Sequence, residues 1–482
     1  MSDTLGQSIE LNMESLRANR FCAGEKRGKR YVCSSDVSDF KVINNSIKLL
    51  METINRIFKW RVWDLWWLNK HEEEWLAMRR NVEVKLEGKY DDEVVNNVLR
   101  LINDFIMYIE KFRTYWDKNA IWNEIKKILD DLMYGKAEVI IWDNKNGISI
   151  HSNYVTLNVN KPVKNDITVQ LILKEFDGVT INVPDIWIRM LKSEDYEKFI
   201  NEILKWLKKG FAMTDEGINE GKPIMATTQA HQAILWSLLY PGEMYINIDA
   251  INVNKKEGIS IKWYLRANNY DSLKALENDY MPSNENEAIL VLLTAILGDG
   301  YAIITKYRGR YEIPVISITM KTESFDRWKP ILDKLSIKWK EYQRSNKTTT
   351  DVMWRSGYAI DLTRTMLNVL PSILKDLLDA LNLEKWINIR KIAEMELNWR
   401  LGENRVLIAG YEFSVNVLKT TVRLRHLVKN KDEVDSIRDI LMKVYGDEFV
   451  GQTHVNNNGK YMEVVIPMRL IMSYNDIKMQ VI

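Results

Sequence analysis

Asp299 is the residue of this chain whose surroundings best suit chemistry. The stretch 292–300 reads LLTAILGDG, and the spacing predicts an apolar helix over 288–297 that ends in Gly298, Asp299 and Gly300. A lone carboxylate at a helix C-terminus faces the negative end of the macrodipole, and a cation would relieve that cost. Asp299, with Gly298 beside it, is therefore a candidate metal-binding carboxylate. The same letters also suit a plain helix cap running into a turn. Thr294, Ala295 and Gly298 carry little bulk. Small residues on one helix face let a second helix approach more closely than ordinary side chains allow, so this helix is expected to touch a partner backbone.

The elements that would position Asp299 follow it. Periodicity and turn residues predict strands over 301–307 and 312–321 with a turn at Gly309, a helix over 324–335, strands over 338–344 and 351–362, and a helix over 366–381. A weaker second copy is expected downstream. In ELNWRLGENRV, Gly402 and Glu403 stand where Gly298 and Asp299 stand in the first copy, and Glu403 lies 104 positions after Asp299. YAIDLTRTML from Tyr358 matches YMEVVIPMRL from Tyr461 at an offset of 103. Glu396, Asn398, Trp399 and Arg400 replace Leu292, Thr294, Ala295 and Ile296, which weakens the close helix seam on that side.

LLTAILGDG followed by this element order resembles the LAGLIDADG homing endonucleases, particularly their intein-like variants. The resemblance covers about 195 residues, from Glu287 to the C-terminus. It implies an α+β fold class, with a C-terminal tandem αββαββα LAGLIDADG-like saddle after a mixed helical and β N-terminal half. It further implies that Asp299 and Glu403, with Gly298 and Gly402, hold Mg²⁺ or another divalent cation. Cleavage of double-stranded DNA by a monomer with internal pseudo-symmetry would follow. Lys460 is a candidate catalytic residue, a basic side chain of the second copy that could approach the scissile phosphate and polarise water, although no motif of the family fixes its position. The alternative is a non-catalytic DNA- or RNA-binding descendant of that fold, maturase-like or a decayed mobile-element protein.

A DNA-facing sheet needs basic residues for phosphate contacts. Residues 301–350 hold 11 Lys and Arg against 5 Asp and Glu, whereas the whole chain carries a net +2. Lys306, Arg308 and Arg310 at the first hairpin, Lys338, Lys340 and Arg344 on the third strand, and Lys419, Arg423 and Arg425 in the second copy are the candidate DNA contacts. Each alone also suits a solvated sheet face; the regional imbalance is the argument.

Composition bounds the rest. With 68 basic and 66 acidic residues the chain is no strongly basic nucleic-acid coat, so any polyanion site must be a local patch. Its 482 residues suggest about three domains. The boundaries read as a basic flexible arm (1–35), a helical, Trp-rich segment (36–136), a mixed α/β domain (137–285), copy 1 (286–385) and a degenerate copy 2 (386–482). Cys22 and Cys33 support neither a disulfide framework nor a zinc quartet, and a reducing, cytoplasmic setting is expected. Five scattered His residues argue against a zinc site. No apolar run reaches the length of a membrane span, and no secretory leader is read before Arg30. Trp60, Trp63, Trp66, Trp67 and Trp75 read as core or a domain contact, with a base-stacking platform or a protein-interaction surface as alternatives.

Overall fold

In the computed structural model, residues 12–27, 30–60, 65–118, 120–143, 146–161, 167–191, 193–254, 258–274, 281–307, 311–343, 348–395, 405–418, 421–457, 459 and 461–481 are described. The fold is mixed α+β with several sheets, as the patterning predicts.

The chain begins with a short helix α1 (Met13–Arg17) and a hairpin of β1 (Arg20–Arg27) and β2 (Arg30–Asp36). This corrects the flexible-arm reading of 1–35 for its described part. Asn12 caps α1, and β1 runs parallel to the later strand β3 (Glu138–Ile141), with Phe21 opposite Val139. Phe21 and Leu16 are buried, so apolar contacts hold a segment whose basic residues look solvent-bound in isolation. Cys22 and Cys33 form a disulfide across the hairpin, against the expectation of reduced thiols. The hairpin register brings them together, with Gly24 opposite Cys33 after a shift in register between Ala23 and Gly24.

Four long helices follow, α2 (Phe40–Trp60), α3 (Trp66–Leu86), α4 (Asp92–Lys118) and α5 (Ile121–Met133). The apolar residues of α4 recur at helical spacing, and Val98, Ile102, Phe105, Ile109, Phe112 and Trp116 are all buried. Trp67 and Trp75 are core residues, and Trp75 stacks on Phe105 with ring centroids 4.7 Å apart. Trp66 is exposed. Trp63, and the side chain of Trp60, lie outside what is described.

Strands β3, β4 (Gly147–His151), β5 (Val155–Asn160), β6 (Thr168–Leu173) and β7 (Val179–Val183) come next. The residue pattern over 187–209 by itself suggests one helix, but the segment is broken into α6 (Trp187–Met190), α7 (Ser193–Phe199), a π-helical turn over Ile200–Leu204 and α8 (Lys205–Ala212). Then come β8 (Glu216–Asn219), β9 (Lys222–Thr227), α9 (Ala230–Leu239), β10 (Gly242–Asn254) and β11 (Gly258–Ala267). Met225 thus lies in a strand, not in the helix that its apolar neighbours suggest. Glu220 and Gly221, both at positive φ, close the two-residue turn between β8 and β9. One sheet of eleven strands has the order β2-β1-β3-β4-β5-β6-β10-β11-β9-β8, with β7 also paired to β10.

The helix predicted over 288–297 is α10 (Glu285–Leu297), and every residue from Ala288 to Leu297 is buried. Asn284 caps it by accepting from the Glu287 amide at 3.0 Å. Strands β12 (Gly300–Tyr307) and β13 (Tyr311–Lys321), helix α11 (Phe325–Leu332), strands β14 (Lys340–Gln343) and β15 (Thr349–Arg355) and helix α12 (Gly357–Val369) follow in the expected sequence. The strand expected over 351–362 stops at Arg355, because Ser356 takes a positive φ and starts a helix. Pro371 separates α12 from α13 (Ser372–Leu381), and Asn382, also at positive φ, separates α13 from α14 (Glu384–Glu394). The C-terminal region holds β16 (Arg405–Ile408), β17 (Tyr411–Leu418), β18 (Thr421–Val428), α15 (Lys431–Tyr445), α16 (Asp447–Gly451), β19 (His454–Asn457), β20 (Met462–Pro467), α17 (Met468–Ser473) and α18 (Asn475–Val481).

One strand order recurs three times. Numbering the four strands of each ββαββ run by sequence, the spatial order is first, second, fourth, third in β8 to β11, in β12 to β15 and in β17 to β20. The offset of 103 between Tyr358 and Tyr461 does not follow this repeat, since Tyr358 lies in α12 and Tyr461 immediately precedes β20. The repeating elements are instead displaced by 111 residues, from Gly300 at the start of β12 to Tyr411 at the start of β17. Matching of short apolar strings had aligned a helix with a strand.

The chain forms two compact units, and neither is continuous. One comprises Met1–Tyr301, Ile318–Ser336 and Met366–Ile387; the other comprises Ala302–Ser317, Ile337–Thr365 and Asn388–Ile482. The division after Tyr301 differs from the boundary read at 285/286. The second unit has its own core, in which Ile408, Phe413, Leu424, Leu441, Phe449 and Ile466 are nearly inaccessible. No described helix is long and apolar enough to cross a membrane.

Candidate functional site

The partner of α10 is α8. Gly210 lies five residues before Asp215, and Thr294 lies five residues before Asp299. These two positions meet where the helices touch. A Cβ on Gly210 would overlap the Thr294 hydroxyl and the Val291 carbonyl, so glycine is required for the approach. The Thr294 hydroxyl donates to the Leu207 carbonyl at 2.8 Å, a bond between the helices that satisfies the polar group in an otherwise apolar seam. The close approach expected of small residues on α10 is thus present, against a helix that the sequence reading had not paired with it.

Each helix ends in a short turn that carries its acid and then enters the first strand of a hairpin: Asp215 before β8, Asp299 before β12. The two carboxyl groups lie near enough for each to act on the other electrostatically. Asp215 is half-buried and Asp299 exposed. Desolvation, then the nearby Asp299 carboxyl, push the Asp215 carboxyl well above the usual range, because two adjacent carboxylates resist full ionisation. Asp215 Oδ2 would be 2.6 Å from a Cβ placed on Gly298. A side chain at Gly298 would press on the opposite acid, whose Oδ2 is held by Gln232.

Polar neighbours hold the pair. Gln232, on α9, donates from Nε2 to Asp215 Oδ2 at 2.5 Å, while its Oε1 accepts from the Thr227 hydroxyl at 2.5 Å. Lys385, in the first turn of α14, donates from Nζ to the Leu297 carbonyl at 3.0 Å and to the Gly298 carbonyl. Burial lowers the Lys385 pKa, against the opposing attraction of Asp215 and Asp299. His231 is pushed down to about 4 by burial and by the charge of Lys385. Glu216, next to Asp215, turns into the protein. It accepts from Tyr240 Oη at 2.7 Å and from Trp236 Nε1 at 3.3 Å, and burial raises its pKa to about 7.

Hard oxygen donors suit Mg²⁺, which is held by one or two carboxylates and keeps several waters. Asp215, Asp299 and nearby backbone carbonyls are such donors, and the exposure of Asp299 leaves room for water. The donor set therefore fits a divalent cation. Among the described residues, the one group of three His, Cys, Asp or Glu side chains close enough to ligate an ion is Cys22, Cys33 and Glu138, and its cysteines are joined as a disulfide.

Glu403, Gly402 and Lys460 lie outside the described residues, as do Arg308, Arg310, Arg344 and Lys419. Lys306, Lys338 and Lys340 are exposed. Arg425 is bound to the buried Glu463, with Nε donating to Oε2 at 3.1 Å, which makes it a structural ion pair first. Arg423 alternates with the buried Val422 and Leu424, and its Nε is buried without a hydrogen-bond partner among the described residues.

Asp215, Gln232 and Lys385 were not identified from sequence. KKGFAMTDEG did hold a signal, since Gly210 and Asp215 precede Thr294 and Asp299 by the same 84 residues. The expectation of one unbroken helix over 187–209 hid it. No model of a known protein family and no curated protein matches this chain.

Proposed function

We propose that this chain is a LAGLIDADG-like DNA-binding protein whose metal-binding carboxylates are Asp215 and Asp299, making divalent-metal-dependent phosphodiester cleavage. The observation that carries the reading is the proximity of these two acids at the ends of two helices that touch through Gly210 and Thr294. The ββαββ run with one strand order after each acid adds to it. The pair is complete within one chain, which favours a monomer with internal pseudo-symmetry.

A divalent ion, when bound, would polarise the phosphate and make water a better nucleophile. Asp215 and Asp299 would hold it, and Gln232 would keep Asp215 in place through its 2.5 Å hydrogen bond. Lys306 and Lys340, exposed on strands of one sheet, are candidate phosphate contacts.

The test is nicking of supercoiled plasmid libraries in Mg²⁺ by wild type, Asp215→Asn and Asp299→Asn. Loss of roughly a hundredfold or more in each variant is expected if both acids act at the reacting phosphate. Wild-type activity in both would remove the pair from the reaction.

One observation favours the second reading, a DNA or RNA binder that does not cut. The Lys385 ammonium already offsets the charge of the acid pair. Binding that persists in EDTA with a steep salt dependence, and no cleavage with any metal, would select that reading.

A further inference from the structure

Lys385 is placed by more than its own side chain. Asn382, in the left-handed region, turns the chain from α13 into α14. The fully buried Trp386 fixes the first turn of α14, its Nε1 donating to Asp379 Oδ1 at 2.6 Å. This brings the Lys385 Nζ to the Leu297 and Gly298 carbonyls, at the negative end of α10. Asp215 and Asp299 both attract it. The helix end that calls for a cation already has one, covalently tethered.

We propose that Lys385 is an internal competitor for the cation position of the Asp215–Asp299 pair, so that a divalent ion binds only as the ammonium withdraws. This rests on the pair being a cation site. A fixed positive charge beside the end of α10 opposes an incoming divalent ion electrostatically, and the protein must also release the two carbonyl hydrogen bonds for those oxygens to serve as donors. The resting pair would then be neutralised without metal, and divalent affinity would be set by how readily Lys385 moves.

The experiment uses the full chain and Mn²⁺ as the probe, with binding followed by electron paramagnetic resonance. Lys385→Met should bind Mn²⁺ tighter than wild type by roughly tenfold or more, and Lys385→Arg should resemble wild type. Adding Asp299→Asn to Lys385→Met should abolish the gain. Equal affinity of wild type and Lys385→Met, with both sensitive to Asp299→Asn, would overturn the role of Lys385 and leave the acid pair as a cation site. Absence of Asp299-dependent binding in both would overturn the two readings together. A second measurement needs no variant: saturating Mn²⁺ should accelerate reductive methylation of Lys385 relative to the other lysines of wild type. An unchanged relative rate would equally overturn the proposal.

Discussion

Gly210 and Thr294 face each other across the contact of α8 and α10, each five residues before an acid. This contact brings the ends of the two helices, and with them the two acids, to one place.

Gly210→Val tests that contact. The added side chain would meet the Thr294 hydroxyl and the Val291 carbonyl, which are not flexible chain ends. Overpacking of this kind costs about 1–3 kcal/mol, and the unfolding free energy from urea denaturation should fall by that amount, with a lower midpoint. Any Asp299-dependent Mn²⁺ binding should weaken with it, since the acids part when the helices do. A midpoint equal to wild type would mean that the helices do not approach as described.

Glu216 makes stability depend on pH. Its pKa in the folded protein is raised to about 7 against 4.5 unperturbed. The folded state therefore holds this proton more tightly, and its stabilisation is fully present below 4.5 and lost as pH rises through 7. Between pH 5 and 8 the loss should be on the order of 2–3 kcal/mol. Glu216→Gln should flatten this part of the profile, as measured by urea unfolding at both pH values. An identical slope in the variant would assign the effect elsewhere.

Lys306 and Lys340 test the nucleic-acid surface. If they contact phosphates, Lys306→Ala and Lys340→Ala should each weaken DNA binding alike for unrelated sequences. Each should also reduce the slope of log affinity against log salt by about 1. Unchanged slopes in both would leave these side chains as solvated surface.

The helical N-terminal segment, the alternating strands of the middle and the apolar helix ending at Asp299 were legible because each depends on neighbours three or four residues away, or two. Amphipathic periodicity in α4 and the turn residues after α10 are signals of this local kind. Breaks were less legible. Ser356, Asn382 and Glu220 take positive φ without being glycine, and composition does not announce that. The N-terminal hairpin was misread because its order comes from pairing with β3, more than a hundred residues away.

By itself, the sequence determined that an acid closes a buried helix built for close approach, and that strands follow in a fixed order. It did not determine which helix approaches. Asp215 is Asp299's partner because Gly210 admits Thr294 and because α9 and α14 bring Gln232 and Lys385 to the same place. Hydrogen bonds and Coulomb forces act over a few ångströms of space, and only the folded chain decides which residues, 84 or 86 positions from Asp299, come within that reach.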